Sequence, residues 1–352
     1  MQVLPTLALG CLLLRPTAAM AQQVERYTLD GDEVAIYNLA GSLTVKPGTG
    51  AVSVDVVRGG ADAAKLRVER GELNGRETLR IIYPAESIVY SGIERGSSTT
   101  LKVRDDGTFS DGDSGEHHRG RKVRVSGQGD GLRAHADLEV RMPPGYQVSL
   151  YLAVGKVSIT NVNGELLLDG HSAPVTASGT KGTLALDVGS GPVHVSGAEG
   201  SLSVDTGSGP VEVSGFRGGE LSIDTGSGGV TGSDLRASEI QIDTGSGDIE
   251  LTAVTSPVLM LETGSGGVGA DLHGPLRQLA VETGSGDISV RAPASLAAEV
   301  EIETASGVIE TDFQLQVTRH SRDHVVGQIG NGAGRVAIET GSGDVRLLKR
   351  PN

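Results

Sequence analysis

Val204-Asp205-Thr206-Gly207-Ser208-Gly209-Pro210-Val211 is one copy of a phrase that returns through the second half of the chain. It recurs as Ile223-Asp224-Thr225-Gly226-Ser227-Gly228, Ile242-Asp243-Thr244-Gly245-Ser246-Gly247-Asp248-Ile249 and Leu261-Glu262-Thr263-Gly264-Ser265-Gly266. Further copies are Glu282-Thr283-Gly284-Ser285-Gly286-Asp287, Glu303-Thr304-Ala305-Ser306-Gly307 and Glu339-Thr340-Gly341-Ser342-Gly343-Asp344. A degenerate copy, Asp187-Val188-Gly189-Ser190-Gly191-Pro192, leads the series. The serines lie 18, 19, 19, 19, 20, 21 and 36 residues apart. A near-constant period of this length means stacked units, none of which buries its apolar side alone.

Within each unit the apolar residues alternate. Leu202 and Val204 precede one copy, and Val211 and Val213 follow it; Ile240, Ile242, Ile249 and Leu251 repeat the pattern. Period two over about five residues is a half-buried strand. The Gly-Ser-Gly between two such strands is expected to be a corner, made by glycines at positive φ. No interval has room for an ordinary helix. The fold class is therefore all-β: a single-stranded parallel β-solenoid with rungs of about 19 residues, each a strand, a corner, a second strand and a loose return. Parity points the threonines inward, where they can hydrogen-bond along the stack. It points Asp205, Asp224, Asp243, Glu262, Glu282, Glu303 and Glu339 outward, as a column of like charges about 4.8 Å apart.

Composition agrees. Glycine is 53 of 352 residues, and Phe216 is the only aromatic between positions 152 and 312. A narrow two-walled stack has little space for large rings. The formal net charge is −14, which makes nucleic acid a poor partner. Residues 1–21 read as a signal peptide, with an apolar run from Leu7 to Leu14 and a small-x-small site at Ala19-Met20-Ala21. Cleavage near Ala21 removes Cys11, the one cysteine, and leaves no segment long and apolar enough to be a membrane-spanning helix. An exported protein is expected, in the periplasm, on the outer surface or outside the cell.

In chain order, 22–147 reads as a β-rich capping region. Its stretch 91–131 is polar and glycine-rich and reads as a long flexible insert. The alternative there is a Ca²⁺ site built from Asp111, Asp113 and Glu116, beside His117 and His118; the Asp-x-Asp spacing suits calcium, but the glutamate that closes an EF-hand loop is missing. The solenoid is expected over 148–352, with 313–335 as an insertion that can fold as a hairpin and accounts for the last long step.

The repeated Thr-Gly-Ser-Gly-Asp phrase resembles the bacterial DUF4097 family of adhesin-like β-strand repeat proteins. So do Asn38-Leu39-Ala40-Gly41-Ser42-Leu43-Thr44-Val45, the Arg141-Met142-Pro143-Pro144-Gly145 turn and Ile329-Gly330-Asn331-Gly332 before the last corner. The resemblance implies a β-solenoid, often attached to the cell envelope.

Asp205-Thr206-Gly207-Ser208 spells the active-site phrase of aspartic proteases. That chemistry needs two aspartates facing each other and sharing a proton, whereas a stack sets the carboxylates side by side and lets glutamate replace them. No histidine keeps a fixed offset from the serines, so a nucleophile is not indicated. His320 and His324 have helical metal-ligand spacing in a stretch that is not helical. No catalytic residue and no cofactor are expected. The acids of the column, with Asp248, Asp287 and Asp344 beyond the corner, form either a solvated edge that opposes aggregation or a weak cation site. The expected function is a non-enzymatic binding surface, adhesin-like, at the cell envelope, its partner an unknown envelope or cell-surface component. The alternatives are a polysaccharide-active β-helix enzyme and a calcium-stiffened structural spacer.

Overall fold

The structure, a computed structural model, describes residues 23–110 and 120–351. The signal-peptide stretch and the candidates Asp111, Asp113 and Glu116 lie outside the described residues. The described chain is all-β, with one short 3-10 turn at Ala63–Lys65. The strands of the first region are β1 (Val24–Leu29), β2 (Glu33–Pro47), β3 (Val52–Gly59), β4 (Arg67–Leu73), β5 (Arg76–Ile82), β6 (Ser87–Val89), β7 (Ser98–Val103), β8 (Arg121–Ser126) and β9 (His135–Met142). The repeats follow as β10 (Gln147–Thr160), β11 (Asn163–Ser172), β12 (Val175–Ser178), β13 (Lys181–Ser190), β14 (Val193–Ser196), β15 (Glu199–Ser208), β16 (Val211–Ser214), β17 (Arg217–Thr225), β18 (Val230–Thr244) and β19 (Ile249–Thr255). The chain closes with β20 (Val258–Thr263), β21 (Val268–Leu272), β22 (Gln278–Thr283), β23 (Ile288–Ala292), β24 (Ala298–Thr304), β25 (Ile309–Thr311), β26 (Gln316–His320), β27 (His324–Ile329), β28 (Gly334–Thr340) and β29 (Val345–Lys349).

From β10 to β23 the units stack in parallel, in register except for shifts at Gly200/Leu202 and Leu251/Val254. Leu168 pairs with Leu186, Leu186 with Val204, Val204 with Ile223 and Ile223 with Ile242, on the wall before the corner. Val175, Val193, Val211 and Val230 do the same on the wall after it. The inward residues of both walls are buried and form one continuous core. The return is not loose. Lys181, Glu199, Arg217 and Arg236 each donate a backbone N–H to the preceding rung, at 2.8–3.0 Å. Its inward residues, Val162, Ala198, Phe216, Leu235 and Val254, are buried. This third side closes the core between the two walls.

The sheet as a whole is mixed, so the uniformly parallel stack expected from the period is corrected at both ends. Antiparallel strands cap the first wall as β4 on β5 and as β27 and β26 beyond β24. They cap the second wall as β3 and β1 beyond β9. Rung order also departs from chain order. β2 pairs along its length with β10, so a full rung lies well before 148. Its other edge is covered by β5 on one wall and β9 on the other, both later in the chain. At the far end β28 pairs with both β22 and β24, and β29 with both β23 and β25. The last rung in sequence is thus inserted between two earlier ones. Within 313–335, β26 and β27 form the expected hairpin.

The stretch 91–131 differs from the flexible insert expected. Its described part supplies β7 and β8, which pair with β6 as a three-stranded sheet. Leu101, Val103, Val123 and Val125 are buried there, although they are sparse in the sequence. Phe109 then lies edge-on to Tyr37 (5.9 Å) and Tyr151 (6.4 Å), whose rings stack at 4.3 Å on the outer side of the first wall.

Candidate functional site

Parity is obeyed throughout the repeats. Thr206, Thr225, Thr244, Thr263, Thr283, Thr304 and Thr340 are all buried, and the acids before them point out. On the first wall the strand register aligns the acids as Asp169, Asp187, Asp205, Asp224, Asp243, Glu262, Glu282, Glu339 and Glu303, in that spatial order. The column therefore holds two carboxylates more than the tidy copies of the phrase suggest. Ser172, which pairs with Ser190, was the signal that could have added Asp169. Below Asp169 the same column continues as Tyr151, Tyr37 and Arg80. It is aromatic where Phe109 covers it and acidic where it meets water.

Among the described residues, none of the seven acids from Asp205 to Glu339 forms an ion pair. Like charges one strand spacing apart disfavour ionisation. Burial raises the pKa of Asp205 above the usual carboxylate range, with Asp187 and Asp224 adding to it. Asp243 raises that of Glu262, with burial and Glu282 contributing.

The corner works differently from a positive-φ turn. None of the corner glycines from Gly207 onward lies in the left-handed region. Glycine is required there because successive corners touch. A Cβ on Gly228, Gly247, Gly266, Gly286 or Gly343 would lie 1.9–2.1 Å from the carbonyl oxygen of the glycine beneath it. The threonines do not bond to one another. From Thr244 onward each hydroxyl accepts the N–H of the glycine three residues on and donates to a glycine carbonyl of the adjacent rung, while Thr225, among the described residues, only accepts, from the Gly228 N–H at 3.0 Å. For Thr263 these are Gly266 N–H at 3.1 Å and Gly247 O at 2.9 Å. The ladder continues across the inserted rung, from Thr340 to Gly286 O and from Thr304 to Gly343 O, both at 2.9 Å. Thr206 has no hydroxyl partner among the described residues. The corner below it contains Gly191 at φ 126°, so the ladder begins above it.

The acids beyond the corner are bound into the backbone. Asp248 Oδ1 accepts the Gly267 N–H at 2.8 Å, Asp287 Oδ1 that of Asp344 at 2.9 Å and Asp344 Oδ1 that of Val308 at 3.0 Å. Each carboxylate staples its corner to the next rung. Outward of this staple line, Gly269 pairs between Glu250 and Ser289 on the second wall, and the Glu250 carboxylate fills the space that a Cβ on Gly269 would take. The groove there, about 370 Å³, is lined in part by Glu250, Asp271, Asp287 and Arg291. Asp205, Asp224 and Asp243, the three protease-like phrases, stand side by side in parallel strands and do not face one another. His320 and His324 sit in strands and at a turn, without helical geometry. No group of three or more His, Cys, Asp or Glu that could hold a metal occurs among the described residues.

The fold and its corner chemistry define a repeat protein of all-β, solenoid-like architecture. The chain belongs to the Toastrack DUF4097 family, whose profile matches residues 136–348, more than half of its length. The match starts at β9 and leaves β2, the first rung in sequence, outside it. Among solved structures, the chain is similar to one titled "putative cell adhesion protein" from Clostridium sporogenes ATCC 15579. That likeness has 9% identity, covers 94% of this chain and 100% of the other, and has a TM-score of 0.21, too low to support a structural argument. No curated protein matches the chain. No helix among the described residues is long and apolar enough to cross a membrane.

Proposed function

We propose that this chain is an exported, non-enzymatic β-solenoid of the single-stranded parallel type, whose first wall is an extended binding surface for a component of the cell envelope. The observation that carries this reading is the outer side of that wall. Its middle line, through Leu167, Ala185, Ser203, Ser222, Gln241, Met260, Ala280 and Ala337, is uncharged until Glu301 ends it and has mostly small side chains. Beside it runs the acid column, one carboxylate per rung. A flat strip with one charge per strand spacing suits a long partner that repeats a positive group. Each contact is weak in water, and the repeat supplies many of them. The side chains that hold the corners together are used up in backbone bonding, which supports a scaffold rather than a reaction centre.

The test uses the full chain and a variant with Asp224→Asn, Asp243→Asn and Glu262→Gln. Whole cells and isolated envelope polymers are expected to retain the native protein at low salt and to lose it on neutralisation of the column. Equal retention of both would overturn the reading. Turnover of a neutral or acidic glycan by the purified protein, abolished by one Asp or Glu substitution, would overturn the non-enzymatic part. Export is tested separately, by fractionation and N-terminal sequencing of the product.

A further inference from the structure

The last rung of the chain is not the last rung of the stack. β28–β29 lies between β22–β23 and β24–β25, with parallel ladders on both edges in both walls. The two flanking rungs match each other without it. Glu303 follows Glu282 by 21 residues, and Ile309 follows Ile288 by the same 21, so a single shift brings both walls into register. The linkers 273–277 and 293–297 are both five residues long, although the first joins adjacent rungs and the second skips one.

The polar groups held by the inserted rung also have substitutes. Gly286 O accepts from Thr340 at 2.9 Å, and Thr304, which now donates to Gly343 O, occupies the equivalent place one rung on. Asp287 Oδ1 accepts the Asp344 N–H, and Val308 N–H, now held by Asp344, is the equivalent donor. Val300 and Ile302 stand where Val336 and Ile338 stand, facing the core. Either neighbour can satisfy the edge of β22 and of β23 as far as Val290, and β29 alone reaches Arg291 and Ala292.

We propose that β28–β29 is a displaceable rung. In a second in-register state β24–β25 closes directly on β22–β23, and the freed rung enters the same slot of a second copy of this chain. The hinge is the turn Gly330–Ala333, where Gly330 and Gly332 take φ 59° and 66°. The antiparallel β27 stays on the outer edge of β24 in both states, so the cap is not disturbed. During synthesis the closed register is available first, because residues 298–311 precede 334–349. Burial of Val336, Ile338, Val345 and Leu347 favours the inserted state. The corner selects the partner. A Cβ at Gly343 would lie 1.9 Å from Gly286 O, so the slot takes a rung with glycine there, as this chain's own rung has.

The test combines amide hydrogen exchange on the intact chain with cysteine pairs in a Cys11→Ser background. Ala280, Ala337 and Glu301 are outward residues of successive strands. Ala280 and Glu301 are therefore about 9.6 Å apart, two strand spacings, too far for a disulfide. The amides of β28–β29 are expected to exchange through an opening that leaves β20 and β21 protected. Ala280→Cys with Glu301→Cys should cross-link within one chain below the global transition, at least about tenfold faster in mild denaturant than in its absence. Ala280→Cys with Ala337→Cys should give disulfide-linked dimers at high protein concentration. Exchange of β28–β29 only by global unfolding, with no 280–301 cross-link, would overturn the second state. If that variant does not fold, exchange on the unmodified chain decides. Cross-linked monomers alone from the second pair would overturn the exchange between copies.

Discussion

Thr263 and Thr206 occupy the same inward column, yet removing their hydroxyls has opposite expected outcomes. Thr263→Val leaves Gly247 O and the Gly266 N–H buried and unpaired, and should cost about 1–3 kcal/mol. Thermal melting should show a loss of a few degrees. Thr206→Val removes a hydroxyl that has no partner, in a column where Val188 already stands one rung below. It should leave the melting temperature unchanged or raise it. Glycines divide in the same way. Gly266→Ala drives a Cβ to 2.0 Å from Gly247 O, whereas Gly219→Ala meets nothing within 4 Å. The first should destabilise by about 1–3 kcal/mol or more, and the second should fall within about 0.5 kcal/mol of native; urea midpoints separate them.

At the scale of the element, the acid column opposes the stack it decorates. Asp205 and Glu262 titrate above their ordinary values. A carboxyl whose folded pKa is raised adds stability below its unfolded pKa and loses that contribution as pH climbs through the raised value. Glu262→Gln should therefore melt higher than native at pH 7, and the gap should vanish near pH 3–4, below the ordinary glutamate pKa of about 4.3. Added NaCl at pH 7 should narrow the same gap by screening. Asp55 runs the other way. Arg26 and Arg141 hold its carboxyl well below the usual range, through bonds of 2.6–2.8 Å. Its contribution is present above the ordinary aspartate pKa and is lost as pH falls through the lowered value. Asp55→Asn should reduce the melting temperature at pH 7, and by less at pH 2. The insert belongs to this scale as well. Phe109→Ala uncovers the Tyr37–Tyr151 stack and should cost about 3–5 kcal/mol, with new protease cuts near 98–126.

At the scale of the molecule, both ends of the stack share one device. β2 sits beneath β5 and β9, and β28–β29 beneath β24–β25, so neither the first nor the last rung of the chain is an open edge. Three of the four strands that end the two walls, β4, β1 and β26, are antiparallel, and β4 is rich in charge, with Arg67, Glu69, Arg70 and Glu72; the fourth, β25, is a parallel strand of three residues. Such edges resist pairing with other chains. Trimming by a carboxypeptidase should accordingly slow at Lys349, because β29 is hydrogen-bonded on both sides. Digestion followed by intact-mass measurement checks this.

The period, the parity and the corners were legible from the residues alone. Each is set by neighbours within one unit: alternation places Leu202 and Val204 inward, and that placement forces Asp205 out and Thr206 in. The role of the corner glycines was not legible, because the carbonyl that excludes their Cβ belongs to another rung. The strands in the described part of the insert were missed for a similar reason, since Phe109 finds its partners at Tyr37 and Tyr151, far away in sequence. Rung order was decided by the tertiary structure alone. Residues 298–311 and 334–349 carry the same first-wall inward pattern, Val-x-Ile before the Thr, and similar corners that differ at Ala305 against Gly341, and the strand pattern by itself does not tell which lies against 278–292. The choice falls to the hairpin 316–329, which caps one of them and returns the chain to fill the gap beneath it.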